Sequence, residues 1–397
     1  RPPVDLVAKV AALPFDVLDS EEARVLSDKN PYSFFHVSKP EVDLPAGTDP
    51  YSAGVYEKGK QNLDKFIADG TFRQDAESKL YMYTLVMNGR AQTGLLAGVS
   101  IDDYVNNIVK KHEFTREDKE LDRVRHMEAI SCHAGLVFLF YKEDGSKKEL
   151  FAKAMTLAPV FDFTAVDGVR HILRVIDDAA MIDAFKKAFK DQILYIADGH
   201  HRAASSVRVG LSRREKNPGA KELESDYFMS VIFPHDQLMI MPYNRVVKDL
   251  NGRTKEQFIS ELSKKFSIEP TVVKSPASGH AFSMYLDKQW YTLKPAFPLP
   301  SDPVSALDVS VLQNEVLAPL LAIDNPRTSK KINFIGGIRG TAELEKLVDS
   351  GEYTVAFSMY PTSIVELMDV SDSGNVMPPK STWFEPKLRS GLVIHRI

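Results

Sequence analysis

Apolar and polar positions alternate between helical and extended periods along this chain. In VYEKGKQNLDKFIADG (55–70), Tyr56, Leu63, Phe66 and Ile67 return at helical spacing, and Gly70 suits a helix end. LYMYTLVMNGRAQTGLLAGVS (80–100) reads as a β-hairpin turning at Asn88-Gly89, residues that tolerate positive φ. SIDDYVNNIVKK reads as a helix capped by Ser100 with Asp103 near the third position, and TREDKELDRVRHMEAI as a helix capped by Thr115. GLVFLFYKEDGSKKELF reads as a hairpin at Asp144-Gly145, and TAVDGVRHILRVI as a strand pair at Asp167-Gly168. A helix over 20–28 precedes these elements. DDAAMIDAFKKAFK is amphipathic, with Ile182, Phe185 and Phe189 on one side. ILYIA (193–197) is a short buried strand opening into DGHHR, after which HRAASSVRV forms a helix with Gly210 beyond its end.

Further on, RTKEQFISELSKKF predicts a helix, HAFSMYLDKQWYTLKP a hairpin, and VSALDVSVLQNEVLAPLLAI one long helix. INFIGG, a helix over 341–350 and the strand YTVAFSMY follow. The prolines of NVMPPKSTWFEPKLRSGLVI break regular structure and predict an ordered loop. Hairpins mixed with helices predict an α+β fold of mixed sheets with surrounding helices, not a doubly wound parallel sheet. A soft boundary divides the chain into 1–240, carrying DGHHR, and 241–397, carrying the MPPKSTWFEPKL tail.

Composition adds constraints rather than a function. With 397 residues, 44% hydrophobic and 26% charged, the chain has material for two or three domains. A net charge of −4 implies neither a nucleic-acid nor a membrane partner, and the acidic balance argues mildly against DNA. No apolar run approaches the ~20 residues of a membrane span, and no signal peptide is visible. The single cysteine, Cys132, excludes an intrachain disulfide framework, makes a reducing cytoplasm the simplest setting and, beside GLVFLFY, reads as a buried inert thiol.

The densest chemistry is Asp198, Gly199, His200, His201 and Arg202. A strand passing through glycine into a helix presents N–H groups and a dipole that favour an anion such as phosphate. Arg202 can pair with phosphate, the histidines can carry protons near neutral pH, and Asp198 can hold Mg²⁺ or act as a base. The plain alternative is a polar turn whose aspartate caps the helix. Adjacent histidines do not form the i, i+4 pair of a helical zinc site. In KKHEFTREDKELDRVRH, His112 and Glu113 offer an acid/base or metal role and Arg116 and Arg123 offer phosphate contacts; the alternative there is a face of intrahelical ion pairs. Lys380 with Ser381 and Thr382 lacks the glycine frame of a P-loop, though its lysine could reach an anion. INFIGGIRG does not match a dinucleotide fingerprint.

Four ordered segments together resemble one family: LPFDVLDSEEARVLSDKNPYSFFHV, HEFTREDKELDR, ADGHHRAAS and MPPKSTWFEPKLRSGLVI. The chain resembles, over nearly its whole length, the bacterial and archaeal family called domain of unknown function 1015. Locally, ADGHHRAAS is similar to the phosphate-contacting motif of the ParB/sulfiredoxin-like superfamily, including its free serine kinases, which places a core of that type around 190–210. That resemblance implies Gly199, His200, His201 and Arg202 at nucleotide phosphates and Asp198 on Mg²⁺ or the substrate hydroxyl. Sulfiredoxins need a cysteine in the corresponding stretch, which this chain lacks there, and no helix-turn-helix of a partition protein is found. The resemblance transfers no catalytic glutamate; Glu113 and Glu128 are candidates.

These readings converge on a nucleotide-dependent kinase using ATP or ADP with Mg²⁺ and acting on a small hydroxylated metabolite, free serine first. Asp198, His200 and Glu113 would carry catalysis, and Gly199, His201, Arg202, Arg116, Arg123 and Lys380 would bind phosphates. The alternatives are a nucleotide-responsive regulatory protein without turnover, and a hydrolase using His200 and His201.

Overall fold

The computed structural model describes residues 1–397. The chain forms two compact units, Arg1–Leu238 with Pro386–Ile397, and Met239–Glu385. The chain leaves the first unit after Leu238 and returns to it at Pro386. Its last twelve residues belong to the first unit.

The first unit is built on eight strands: β1 (Leu80–Met87), β2 (Arg90–Ser100), β3 (Val109–Lys110), β4 (Val137–Tyr141), β5 (Pro159–Thr164), β6 (Arg170–Ile176), β7 (Leu194–Asp198) and β8 (Tyr227–Pro234). Their order across the sheet is β3-β7-β4-β8-β2-β1-β6-β5. Two pairings are parallel, β3 with β7 and β4 with β8, and the rest are antiparallel. The β1–β2 hairpin closes at Asn88 and Gly89, both at positive φ, as the right-handed strand twist requires of a two-residue loop. Three helices matter for the site: α1 (Ala53–Ala68), α2 (Glu117–Ile130) and α3 (His200–Lys216). Ala203 and Val207 of α3 pack with Val109, Val137, Leu139, Leu194, Ile196 and Ile232 of the sheet. Burying this apolar face fixes the helix on the strands that carry its amino end.

The second unit has a six-stranded antiparallel sheet: β9 (Tyr243–Val247), β10 (Phe266–Thr271), β11 (Phe282–Leu286), β12 (Gln289–Pro295), β13 (Ile332–Gly336) and β14 (Val355–Ser358), in the order β10-β12-β11-β14-β9-β13. Its core gathers Val246, Tyr285, Trp290, Ile335, Leu344, Val348, Tyr353 and Ala356. The mixture of hairpins and helices in both units is α+β.

Several local expectations are corrected. After β4 the chain does not return as a strand. The Asp144 carboxylate accepts from the Ser146 N–H at 2.9 Å, Gly145 takes positive φ, and a helix begins at Lys148, placing Leu150, Phe151 and Ala154 against a core cluster. SIDDYVNNIVKK is helical only over Ile101–Val105. Thr115 does not cap α2: Arg116 is the cap residue, and the Thr115 hydroxyl donates to Glu120 at 3.1 Å. The long helix expected over 304–323 is short at Asp308–Leu312, widens to a π-turn over Gln313–Leu317 and resumes at Ala318–Leu321. Pro319 has no N–H to continue the α-helical ladder, which is reason enough for the interruption. Gly210 lies inside α3, not beyond it. A Cβ there would stand 2.3 Å from the Ser225 carbonyl oxygen, so the absent side chain is what lets the helix lie against that backbone. No helix is long and apolar enough to cross a membrane.

Candidate functional site

The parallel pairing of β3 with β7 aligns Val109 with Leu194 and Lys110 with Tyr195. Parallel neighbours leave the sheet at the same end. HEFTR follows β3 and DGHHR starts on the last residue of β7, so the two polar motifs emerge side by side. The His112 N–H donates to His200 Nε2 at 3.4 Å, and the rings meet edge to face at 4.5 Å. Glu113 Oε2 lies 3.8 Å from His200 Nδ1. The Arg116 N–H donates to His201 Nε2 at 2.9 Å.

Asp198 ends β7, and Gly199 turns the chain at φ +96° into α3, whose amino end has no side-chain cap. A Cβ on Gly199 would stand 3.0 Å from the Arg202 guanidinium, so only glycine satisfies both the backbone angle and the arginine.

Arg202 is buried. It donates to the Leu136 carbonyl and, at 3.1 Å, to Asp198 Oδ2, and lies 3.4 Å from Asp16 Oδ2. Its guanidinium is therefore an internal tie between the residue leading into β4, the end of β7 and the amino-terminal segment, rather than the open fork that phosphate recognition asks for. Lys387 Nζ stands 3.6 Å from the same Asp198 oxygen. Burial alone would raise the Asp198 carboxyl, but the charges of Lys387 and Arg202 outweigh it and hold the group well below the usual carboxylate range.

Burial favours the neutral form of the three histidines here. Burial pushes His112 down to about 4. His200 falls well below its ordinary value through burial and the neighbouring His112, and burial also lowers His201. Because Nε2 of His200 accepts a main-chain N–H, its proton sits on Nδ1, facing Glu113. The same argument puts the His201 proton on Nδ1.

The remaining expected phosphate ligands have other partners. Arg116 makes a two-pronged pair with Asp118, at 3.1 and 2.7 Å. Arg123 pairs with Asp122 at 2.7 Å and lies over the Phe15 ring, 4.0 Å from its centroid. Asp122 also accepts from the Tyr56 hydroxyl of α1 at 2.9 Å. Glu128 is exposed on α2. Lys380 belongs to the second unit, where its ammonium lies 5.6 Å from the Tyr243 ring centroid and its carbonyl accepts from Arg245 at 3.0 Å.

The sequence reading assigned no role to Asp16, Phe15, Leu136 or Lys387. Asp16 and Phe15 lie in LPFDVLDS, a segment singled out by family resemblance, and Lys387 lies in the MPPKSTWFEPKL tail, where attention fell on Lys380 instead. Cys132 is buried and its thiol pushed up to about 12 by burial, an inert group at neutral pH. A separate cavity of about 240 Å³, lined by Tyr141, Glu143, Lys148, Phe151 and Gln237 among others, opens at the far end of β4.

The fold and this turn define an α+β protein whose polar strand–glycine–helix junction is completed by a neighbouring parallel strand. The chain belongs to the family described as "Protein of unknown function (DUF1015)", whose profile matches residues 1–310. No curated protein matches. Among solved structures the chain is similar to a free serine kinase in complex with AMP (16% identity, TM-score 0.37, 75% of this chain and 92% of that one). It is also similar to a conserved hypothetical protein from Pyrococcus furiosus (16%, TM-score 0.36, 75% and 95%). A third is SbnI with C-terminal truncation from Staphylococcus aureus (13%, TM-score 0.40, 76% and 87%).

Proposed function

We propose that the chain is a nucleotide-dependent phosphotransferase acting on a small hydroxylated metabolite, with free serine the first acceptor to test. The observation that carries this reading is the delivery of Glu113 to the amino end of α3, 3.8 Å from His200 and beside the Asp198 turn. In the reading, the N–H groups of α3's first turn receive the nucleotide phosphates. Glu113, part-exposed and facing the Nδ1–H of His200, takes the proton of the acceptor hydroxyl. That oxygen bonds to the terminal phosphorus as the bridging P–O bond breaks, and the nucleotide leaves one phosphate shorter. His200 positions Glu113 and does not itself accept the proton, since its Nε2 is engaged by the main chain. Arg202 holds Asp198 in place.

No group of three or more His, Cys, Asp or Glu side chains is arranged to hold a metal ion. Mg²⁺ arriving with a nucleotide needs only one or two protein carboxylates beside the phosphates, and ionised Asp198 fits that demand. Bound there, it would neutralise phosphate charge.

The test is phosphorus NMR of purified protein with Mg²⁺, ATP or ADP, and a pool of hydroxylated metabolites including L-serine; AMP serves as a product standard. A new phosphomonoester signal is expected. Glu113→Gln should lower its rate roughly 100-fold or more, the usual share of a general base, and Asp198→Asn should abolish it with the circular dichroism spectrum unchanged. Undiminished turnover by Asp198→Asn would sink the reading. Nucleotide binding without turnover across the pool would replace it with a regulatory one.

A further inference from the structure

The residues given a role in the reading above all lie before 203. A cation near them comes from the other end of the chain. Lys387 is mostly buried, 12% exposed, with its ammonium 3.6 Å from Asp198 Oδ2. Asp198 immediately precedes Gly199 and the amino end of α3.

The segment carrying this lysine is held along its length. Leu388 is buried. The Arg389 side chain is buried too, donating from Nε to His171 Nε2 at 3.3 Å and pairing with Asp167, while its main-chain N–H meets the Tyr83 hydroxyl at 3.3 Å. Ser390 and Ala12 exchange two main-chain hydrogen bonds, at 3.1 and 2.9 Å. Gly391 has φ +84°, and a Cβ there would strike the Phe34 side chain at 2.8 Å. His395 and Arg396 pair as a strand with His133 and Cys132. A backbone fixed at so many points presents a charged group with little freedom left to lose on binding.

Like Lys387 with Asp198, the arginines near the turn are paired. Arg202 spans a carbonyl and two carboxylates, Arg116 grips Asp118, and Arg123 grips Asp122. An ammonium differs from these guanidinium forks: it offers three donors around a point charge and can bridge a carboxylate and a phosphate together.

We propose that Lys387 is a phosphate-binding residue of the DGHHR site, meeting the terminal phosphate of a nucleoside di- or triphosphate seated on the amino end of α3. This rests on the phosphotransferase reading above. It also gives the C-terminal segment a function: completing a site whose other parts lie before residue 203.

The experiment is calorimetric titration of the full chain with Mg-ADP and, separately, with adenosine, for wild type, Lys387→Met, Lys387→Gln and Lys387→Arg, each checked for folding by circular dichroism. The expected result is a loss of roughly tenfold or more in ADP affinity for the two uncharged variants, about 1.4 kcal/mol per tenfold, with adenosine affinity unchanged and partial recovery in Lys387→Arg. An ADP affinity within about twofold of wild type in Lys387→Met and Lys387→Gln overturns the inference and leaves the phosphotransferase reading standing. Equal losses for ADP and adenosine, or unfolding of both uncharged variants, make Lys387 a structural prop and also overturn it. Wild type that binds neither ligand brings down the phosphotransferase reading, and this inference with it.

Discussion

Arg202→Met removes one charge from the centre of the site and keeps an unbranched stem of similar bulk up to the guanidinium. Arg202 is 7% exposed and donates to the Leu136 carbonyl, to Asp198 at 3.1 Å, and toward Asp16 at 3.4 Å. The variant leaves a carbonyl without its donor and two carboxylates without their shared cation. Removing one member of a buried ion pair costs about 3–5 kcal/mol. Two features pull the figure to the lower end: Asp198 is 31% exposed, and Lys387 still stands 3.6 Å from it. About 3 kcal/mol in a unit of this size corresponds to a fall of roughly 6–12 °C in Tm. The pH dependence is a second check. The native Asp198 carboxyl is held low, so its contribution is present above the unfolded aspartate value of about 4 and is lost as pH falls through the native one. The gap between wild type and variant should therefore be widest near neutrality and narrow as the solution is acidified. Both tryptophans, Trp290 and Trp383, lie in the second unit, so far-UV circular dichroism is the signal to follow. A loss below about 1 kcal/mol, less than removal of any buried ion-pair partner should cost, or a gap constant from pH 7 to the acid limit, would refute the view of Arg202 as a structural tie.

Gly210→Ala and Gly54→Ala should move Tm in opposite directions. At Gly54 in α1 a Cβ meets nothing within 4 Å, and alanine should stabilise by up to about 1 kcal/mol. At Gly210 it would stand 2.3 Å from the Ser225 carbonyl oxygen, and overpacking should cost about 1–3 kcal/mol or more; two upward shifts would contradict the packing described for α3. Acid should destabilise the fold between pH 7 and 5. Burial holds His112 and His126 down to about 4 and His133 and His171 down to about 3. The unfolded chain binds protons that these neutral rings refuse, and stability falls with pH at up to about 1.4 kcal/mol per unit for each histidine. His36, raised by its bond to Asp43, works in the other sense. A Tm flat from pH 7.5 to 5 would show that these rings are not buried neutral.

The sequence by itself determined the local elements whose causes are local. Asn88-Gly89 sets a two-residue hairpin because both residues accept positive φ. Ser100 caps the short helix Ile101–Val105 because its hydroxyl oxygen reaches the free Asp102 N–H of the first turn. The strand–glycine–helix turn at 194–216 was equally legible, since Gly199 must take an angle that other residues resist. The sequence misread elements decided by contact. Leu150 and Ala154 could have faced either a sheet or a helix, and the core cluster beside them selected the helix. Gly210 looked like a helix stop because nothing nearby reveals that Ser225 will pack against it.

Only tertiary structure decided what the polar motifs do. The register of β3 against β7 brings Glu113 to His200, although they lie far apart in sequence, and no local pattern encodes a parallel pairing. Charge alone could not separate Arg202 from Lys387: both are cations in polar segments. The fold buries Arg202 among two carboxylates and a carbonyl, and it brings Lys387 to the turn from the far end of the chain. A sequence states which charges a protein owns. Which partner each of them meets depends on distances that exist only once the chain has closed on itself.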